Sequence, residues 1–169
     1  MSLMMDLGDK LKTFEEISAE LKVVRSKKPD VRIVTTNGAF DILHVGHIES
    51  LALAKSYGDI LIVGLNSDAS VRQYKSINRP IIPEADRAKM LSALYFVDYV
   101  VMFNEIDPRE FLKVVKPTYH VKSREGYKGI EGDIVREGGG KVVLVDDVPN
   151  LSTSDIVKKI LECENSNRS

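Results

Sequence analysis

The sequence predicts an α/β protein built on a doubly wound, five-stranded parallel sheet. Five short apolar runs alternate with segments of helical periodicity, and most of those runs are apolar throughout rather than at every second residue. A strand covered on both faces reads as a continuous apolar run, whereas a strand with one wet face alternates. No repeat, low-complexity stretch or linker interrupts the alternation. With 169 residues, 43% of them apolar, the chain can bury one full-sized core. The expectation is therefore a single domain over residues 1–169, with residues 1–30 as a lead-in helix and linker.

The elements follow in order. Residues 12–25 carry Phe14, Ile17, Leu21 and Val24 at helical spacing, and Thr13 with Glu16 makes a capping box at the start. Residues 26–30, SKKPD, break that helix, and residues 32–38 read as a buried strand ending in a turn. A helix over 47–58, closed by Gly58, leads to a strand over 59–66. A helix over 83–96 precedes a strand over 98–103, and a helix over 108–116 precedes a short strand over 119–122. A helix over 129–139 with a glycine stop, a strand over 141–145 and a helix over 153–163 complete the pattern. Sheets of this kind bind ligands at the carboxyl ends of their strands, so chemistry is expected in the loops after Thr36, Leu65, Phe103, Lys122 and Val145.

Composition narrows the function. The 24 basic and 25 acidic residues leave a net charge of −1, which speaks against a general nucleic-acid binder while allowing a local basic pocket. The single cysteine, Cys163, has no partner for a disulfide. No apolar run approaches the roughly 20 residues of a membrane helix. No basic segment followed by an apolar stretch opens the chain, so a cytoplasmic location is expected.

The strongest feature is GAFDILHVGH, Gly38 to His47, placed directly after the first core strand. Two of the three histidines, His44 and His47, fall within it. Three residues apart at a turn entering a helix, they share one side, and Gly46 between them lets a phosphate approach the backbone. Two imidazoles with the free amides of a helix N-terminus make an anion site. The same pair also suits a structural role or half of a metal site. Zinc needs three or four protein ligands. The only remaining candidates of its usual nitrogen and sulfur type are His120 and Cys163, so no metal ligands are expected.

GAFDILHVGH resembles the G-x-F-D-x-x-H-x-G-H signature of the cytidylyltransferase-like nucleotidyltransferases, a Rossmann-like superfamily. The likeness is strongest to the adenylyltransferase domain of bacterial ADP-heptose synthases, and runs from about Lys12 to Ile160. It takes in TFEEISAEL, GDILIVGLNSDASV, RPIIPEADRAKMLSAL, VDYVV and STSDIVKKI. The resemblance implies direct in-line attack of a substrate phosphate on the α-phosphorus of a nucleoside triphosphate, with Mg²⁺ and no covalent enzyme intermediate. Such a reaction asks the protein to position two anions and to stabilise spreading charge.

By the same resemblance His44 and His47 stabilise the transition state. Lys75 and Arg87 hold phosphates, while Arg72 and Arg79 suit solvated surface charge equally well. Gly38, Ala39, Phe40, Asp41 and Gly46 of the signature line the nucleotide site. Asp41 orients a turn amide or a histidine, or else caps a helix, and Asp68 is again a potential cap. Lys122 matches the lysine of the family's V-K-G-G-D-Y segment, but this chain reads VKSREGYKG. The changed loop bears on base choice and offers Tyr127 as a stacking surface. Ser152, Thr153 and Ser154 match the family's S-T-T segment at the phosphates, although Ser152 with Asp155 also reads as a simple capping box. The resemblance thus implies transfer of AMP from ATP to a sugar 1-phosphate, in lipopolysaccharide core biosynthesis, by a homodimer. Glycerol-3-phosphate cytidylyltransferase, FMN adenylyltransferase and a non-catalytic nucleotide-binding protein are the alternatives. A class I tRNA synthetase is disfavoured, because no K-M-S-K-S string is present.

Overall fold

The computed structural model describes residues 7–127, 129–146 and 152–166. They form the strands β1 (Leu11–Lys12), β2 (Ile33–Gly38), β3 (Ile60–Asn66), β4 (Tyr99–Phe103), β5 (Tyr119–Ser123) and β6 (Lys141–Val145). The helices are α1 (Phe14–Lys27), α2 (Val45–Ser56), α3 (Asp68–Tyr74), α4 (Glu84–Ser92), α5 (Arg109–Val115), α6 (Ile130–Glu137) and α7 (Thr153–Ser166). All strand pairs are parallel, in the order β1-β4-β3-β2-β5-β6.

The continuous apolar runs reflect cover on both faces of the sheet. Alternate residues of one strand enter different cores: Ile33 and Val34, Ile62 and Leu61, Val101 and Val100. One core takes in Leu51 and Ala54 of α2 and Leu91 of α4. The other takes in Ile17 and Leu21 of α1, Phe111 of α5 and Val135 of α6. Among the described residues no helix is long and apolar enough to cross a membrane.

The sheet has six strands rather than the expected five. Leu11 and Lys12 pair with Val100 and Val101, where the sequence places the start of a helix. The reason lies in the cap. Thr13 is extended, its hydroxyl accepts from the Glu16 amide, and Glu16 returns a bond to the Thr13 amide. A capping residue has non-helical backbone, so Leu11 and Lys12 stay extended and reach the β4 edge.

A second departure is α3, seven residues capped by Ser67 with only Ser70 and Val71 buried, too short and polar to show a helical stripe. The helix expected over 83–96 ends at Ser92. Leu94 and Phe96 still pack on the first core from the following turn, leaving Tyr95 exposed.

The strand order changes direction around β2. The chain leaves β2 for β3 and β4 on one side, then crosses to β5 and β6 on the other. The carboxyl ends of β2 and β5 therefore flank the crevice where such sheets take ligands.

The α2–β3 connection has no room to spare. A β-carbon on Gly58 would lie 2.5 Å from a Val34 methyl and 2.6 Å from the Arg32 carbonyl oxygen. Gly58→Ala is expected to destabilise by about 1–3 kcal/mol, read from the denaturation midpoint. An unchanged midpoint would mean that the β2 start yields freely.

Candidate active site

β2 ends at Gly38, and residues 39–44 turn the chain into α2. Phe40 in this turn has φ 45°, in the left-handed region, which costs a side-chain-bearing residue roughly 1–2 kcal/mol. His44 occupies the N-cap position in extended conformation and makes no side-chain cap. The first-turn amides of α2 are therefore left without a side-chain acceptor, the condition for receiving an anion.

The two imidazoles face one another. Their ring centroids lie 3.8 Å apart with the planes inclined by 24°, and Phe40 meets His47 edge-on at 5.2 Å. Both Nδ1 atoms are enclosed without a hydrogen-bond partner, so a proton is better placed on Nε2. Burial, then the neighbouring His44 and Lys75, lower the His47 pKa to about 4 against an opposing contact with the Ile42 backbone. Burial also lowers that of His44. The pair is neutral at pH 7, and a nearby anion would favour its charged form.

A cleft of about 240 Å³ opens at this point. Of the residues singled out from sequence, Gly38, Ala39, Phe40, Asp41, His47, Lys75, Lys122 and Thr153 line it. His44 is not among the residues lining it; its ring stacks on that of His47, which is. Lys75 enters from the end of α3. Burial lowers its pKa, Asp41 raises it, and Arg79 and Arg87 lower it further. Lys122 reaches across from β5, donating to the Asn37 side-chain oxygen at 2.9 Å and to its carbonyl at 3.2 Å. Thr153 opens α7 and is 9% exposed.

Several expected contacts lie elsewhere. Arg87 is completely buried. Its guanidinium donates to the carbonyls of Ile82 (2.9 Å), Asn66 (2.9 Å) and Ala39 and to the Asp68 carboxylate (2.6 Å). A guanidinium sealed among these acceptors does not reach a phosphate, which corrects the role expected from sequence. Ser152 spends its hydroxyl on a capping box with Asp155, and the exposed Ser154 stands outside the cleft. Gly46 is buried in the first turn of α2. The Tyr127 hydroxyl packs against Gly132 of α6 rather than entering the cleft. Lys128 of the same loop and Leu151, ahead of Ser152, lie outside the described residues.

Asp41 is neither a cap nor a partner of the histidines. It accepts from the amides of Ile81 (2.7 Å) and Ile82 (2.9 Å) and from Arg79 (2.8 Å). Burial pushes its pKa up, but the Ile82 amide, Arg79 and the Ile81 amide together hold it below the usual carboxylate value. Asp68 begins α3 behind the Ser67 cap and pairs with Arg87. Sequence reasoning missed Asn37, Ser50, Tyr74 and Ser123, all lining the cleft. Tyr74 directly precedes the expected Lys75, and burial raises its pKa to about 12, so its hydroxyl stays a hydrogen-bond donor. Among the described residues, no group of three or more histidine, cysteine, aspartate or glutamate side chains is arranged to hold a metal ion.

With this geometry in view, comparison with known proteins is decisive. Residues 35–165 match the cytidylyltransferase-like family. The chain belongs to that family. It is 46% identical over 160 residues to the bifunctional protein HldE of Geobacter metallireducens, covering 92% of this chain and 32% of that protein. It is 49% identical over 156 residues to HldE of a Nitratiruptor species, with coverage of 90% and 32%. The chain thus spans about a third of the length of these curated relatives. Among solved structures, a lipopolysaccharide core biosynthesis protein from Thermoplasma volcanium superposes with a TM-score of 0.62 at 29% identity. That match covers 70% of this chain and 98% of the other. A pantoate-beta-alanine ligase from Francisella tularensis, 17% identical with a TM-score of 0.58 over 90% of this chain and 77% of that one, shares the fold.

The histidines give the site a pH signature. Burial likewise lowers the pKa of His120, fully enclosed on β5 beside the Thr35 hydroxyl, to about 3. A ring with its folded pKa below 6.5 takes up protons in the unfolded chain first. Its contribution is present above pH 6.5 and is lost as the pH falls toward the folded value. The unfolding free energy should therefore drop between pH 6.5 and 4, and His47→Gln should flatten part of that slope. The check is denaturant unfolding across the pH series, and identical slopes for the two proteins would show that His47 is not held neutral.

Proposed function

We propose that this protein transfers AMP from ATP to a sugar 1-phosphate and releases pyrophosphate. The observation that carries the proposal is the stacked His44–His47 pair at the uncapped start of α2, whose His47 ring lines one cleft with Lys75 and Lys122. An oxygen of the acceptor phosphate attacks the α-phosphorus of ATP. The new P–O bond forms as the bond to the β-phosphate bridging oxygen breaks, and pyrophosphate leaves with that electron pair. The protein's work in such a transfer is positioning and electrostatic stabilisation.

The two imidazoles sit where charge spreads over the α- and β-phosphate oxygens, and the α2 amides add fixed donors. Lys75 and Lys122 offset the repulsion between the two anionic substrates. Mg²⁺ enters as the MgATP substrate. The resemblance to ADP-heptose synthase domains and the lipopolysaccharide core biosynthesis protein among the structural neighbours support a sugar phosphate acceptor. The reading extends to a homodimer in the cytoplasm.

A pyrophosphate-release screen of ATP and CTP against sugar 1-phosphates, glycerol 3-phosphate and FMN tests the substrates. ATP with a sugar 1-phosphate should turn over fastest. Saturation with MgATP at 100 times its dissociation constant should add about 2.7 kcal/mol to stability. His44→Ala or His47→Ala should lower kcat on the order of 100- to 1,000-fold, with little change in nucleotide affinity. The double variant should lose less than the product of the two, because both rings act on the same charge. Lys75→Met should weaken triphosphate binding as well as turnover. A folded double histidine variant with wild-type turnover would end this mechanism.

A further inference from the structure

Arg87 and Asp41 close a ring of contacts around one strained residue. On one side of Phe40, the Ala39 carbonyl accepts from Arg87 Nη1. On the other, the Asp41 carboxylate accepts from the amides of Ile81 and Ile82. Arg87 Nε donates to the Ile82 carbonyl at 2.9 Å, so both polar groups of the Ile82 backbone are engaged, one by each arm. Phe40 lies at the apex with φ 45°, and its ring edge rests on His47. A backbone in the left-handed region persists only where its surroundings over-determine it. Here the surroundings are two buried charges.

The two arms are anchored independently. Arg87 also donates to the Asn66 carbonyl at the end of β3 and to Asp68 at the start of α3. Asp41 is also paired with Arg79. Residues 39–41 are thereby fixed to the end of β3 and to the segment leading into α4, and the Phe40 ring is fixed with them.

We propose that Arg87 is a positioning residue: through the Ala39 carbonyl and the left-handed Phe40 it sets the ring of His47, and it touches no substrate. This rests on the reading that His47 acts in nucleotidyl transfer. It reassigns one of the two cations, Lys75 and Arg87, that the resemblance places on a phosphate. Burial lowers the His47 pKa to about 4, with His44 and Lys75 as the charged or chargeable groups acting on it, and the Phe40 ring edge is one of the groups packed on it.

The test is Arg87→Lys in the full chain, since a lysine keeps the charge but cannot serve four acceptors in a planar fork. Histidine-selective NMR follows the His47 titration, and pyrophosphate release gives kcat and KM. A loosened ring meets more water, so its pKa should move up from about 4 toward the ordinary 6.5. Misplacement should cost kcat on the order of 10- to 100-fold, with ATP affinity changed much less.

Weakened ATP binding at unchanged kcat would make Arg87 a phosphate ligand and overturn the proposal, and so would a His47 titration identical to wild type. Should Arg87→Lys fail to fold, Phe40→Leu keeps both arms and removes the ring edge. It should raise the His47 pKa and lower kcat, and unchanged values of both overturn the proposal. Were the wild-type protein inactive with every substrate pair, the proposed reaction would fall, while the titration would still decide whether Arg87 positions His47.

Discussion

A guanidinium sealed from water loses its hydration and must find an acceptor in each direction its donors point. Arg87 finds three backbone carbonyls and one carboxylate, from Ile82 five residues before it, from Asn66 and Asp68 where β3 passes into α3, and from Ala39 in the turn after β2. Removing an acceptor from such a group leaves an uncompensated buried charge, which is far more costly than losing a surface ion pair. These segments are therefore mutually dependent. The turn after β2, the end of β3, the start of α3 and the approach to α4 hold their relative positions because one cation needs all of them.

The sheet provides the other half of the framework. Because β2 is flanked by β3 on one side and β5 on the other, residues from opposite halves of the chain converge at its carboxyl end. Lys75 comes from the β3 side and Lys122 from the β5 side, with the histidine turn between them. A chain with net charge −1 thus concentrates cations at one crevice through topology alone.

Much of this was legible in the sequence. The apolar runs identified β3 and β4, which are buried on both faces, as well as the start of β2 and the half-buried edge strand β6, and the capping boxes at Thr13 and Ser152 marked α1 and α7 through contacts three residues apart. The histidine turn was legible from its spacing. Hidden were features set by long-range partners. β1 is two residues long and exists only because β4 offers an edge. Asp41 was expected to orient a nearby turn amide or a histidine, or else to cap a helix, yet its acceptor oxygens are taken by groups about 40 residues away. Arg87 looked like a phosphate ligand because nothing in a linear pattern tells an enclosed guanidinium from an exposed one. Tyr74 gave no signal beyond its place beside Lys75.

The low basicity of the stacked imidazoles has a further consequence. Two permanent cations at the start of α2 would attract any small anion and repel each other whenever the site stood empty. Neutral rings do neither. Because a nearby anion favours the protonated form of an imidazole, on the proposed reading charge gathering on the phosphate oxygens in the transition state is what would draw the rings toward that form.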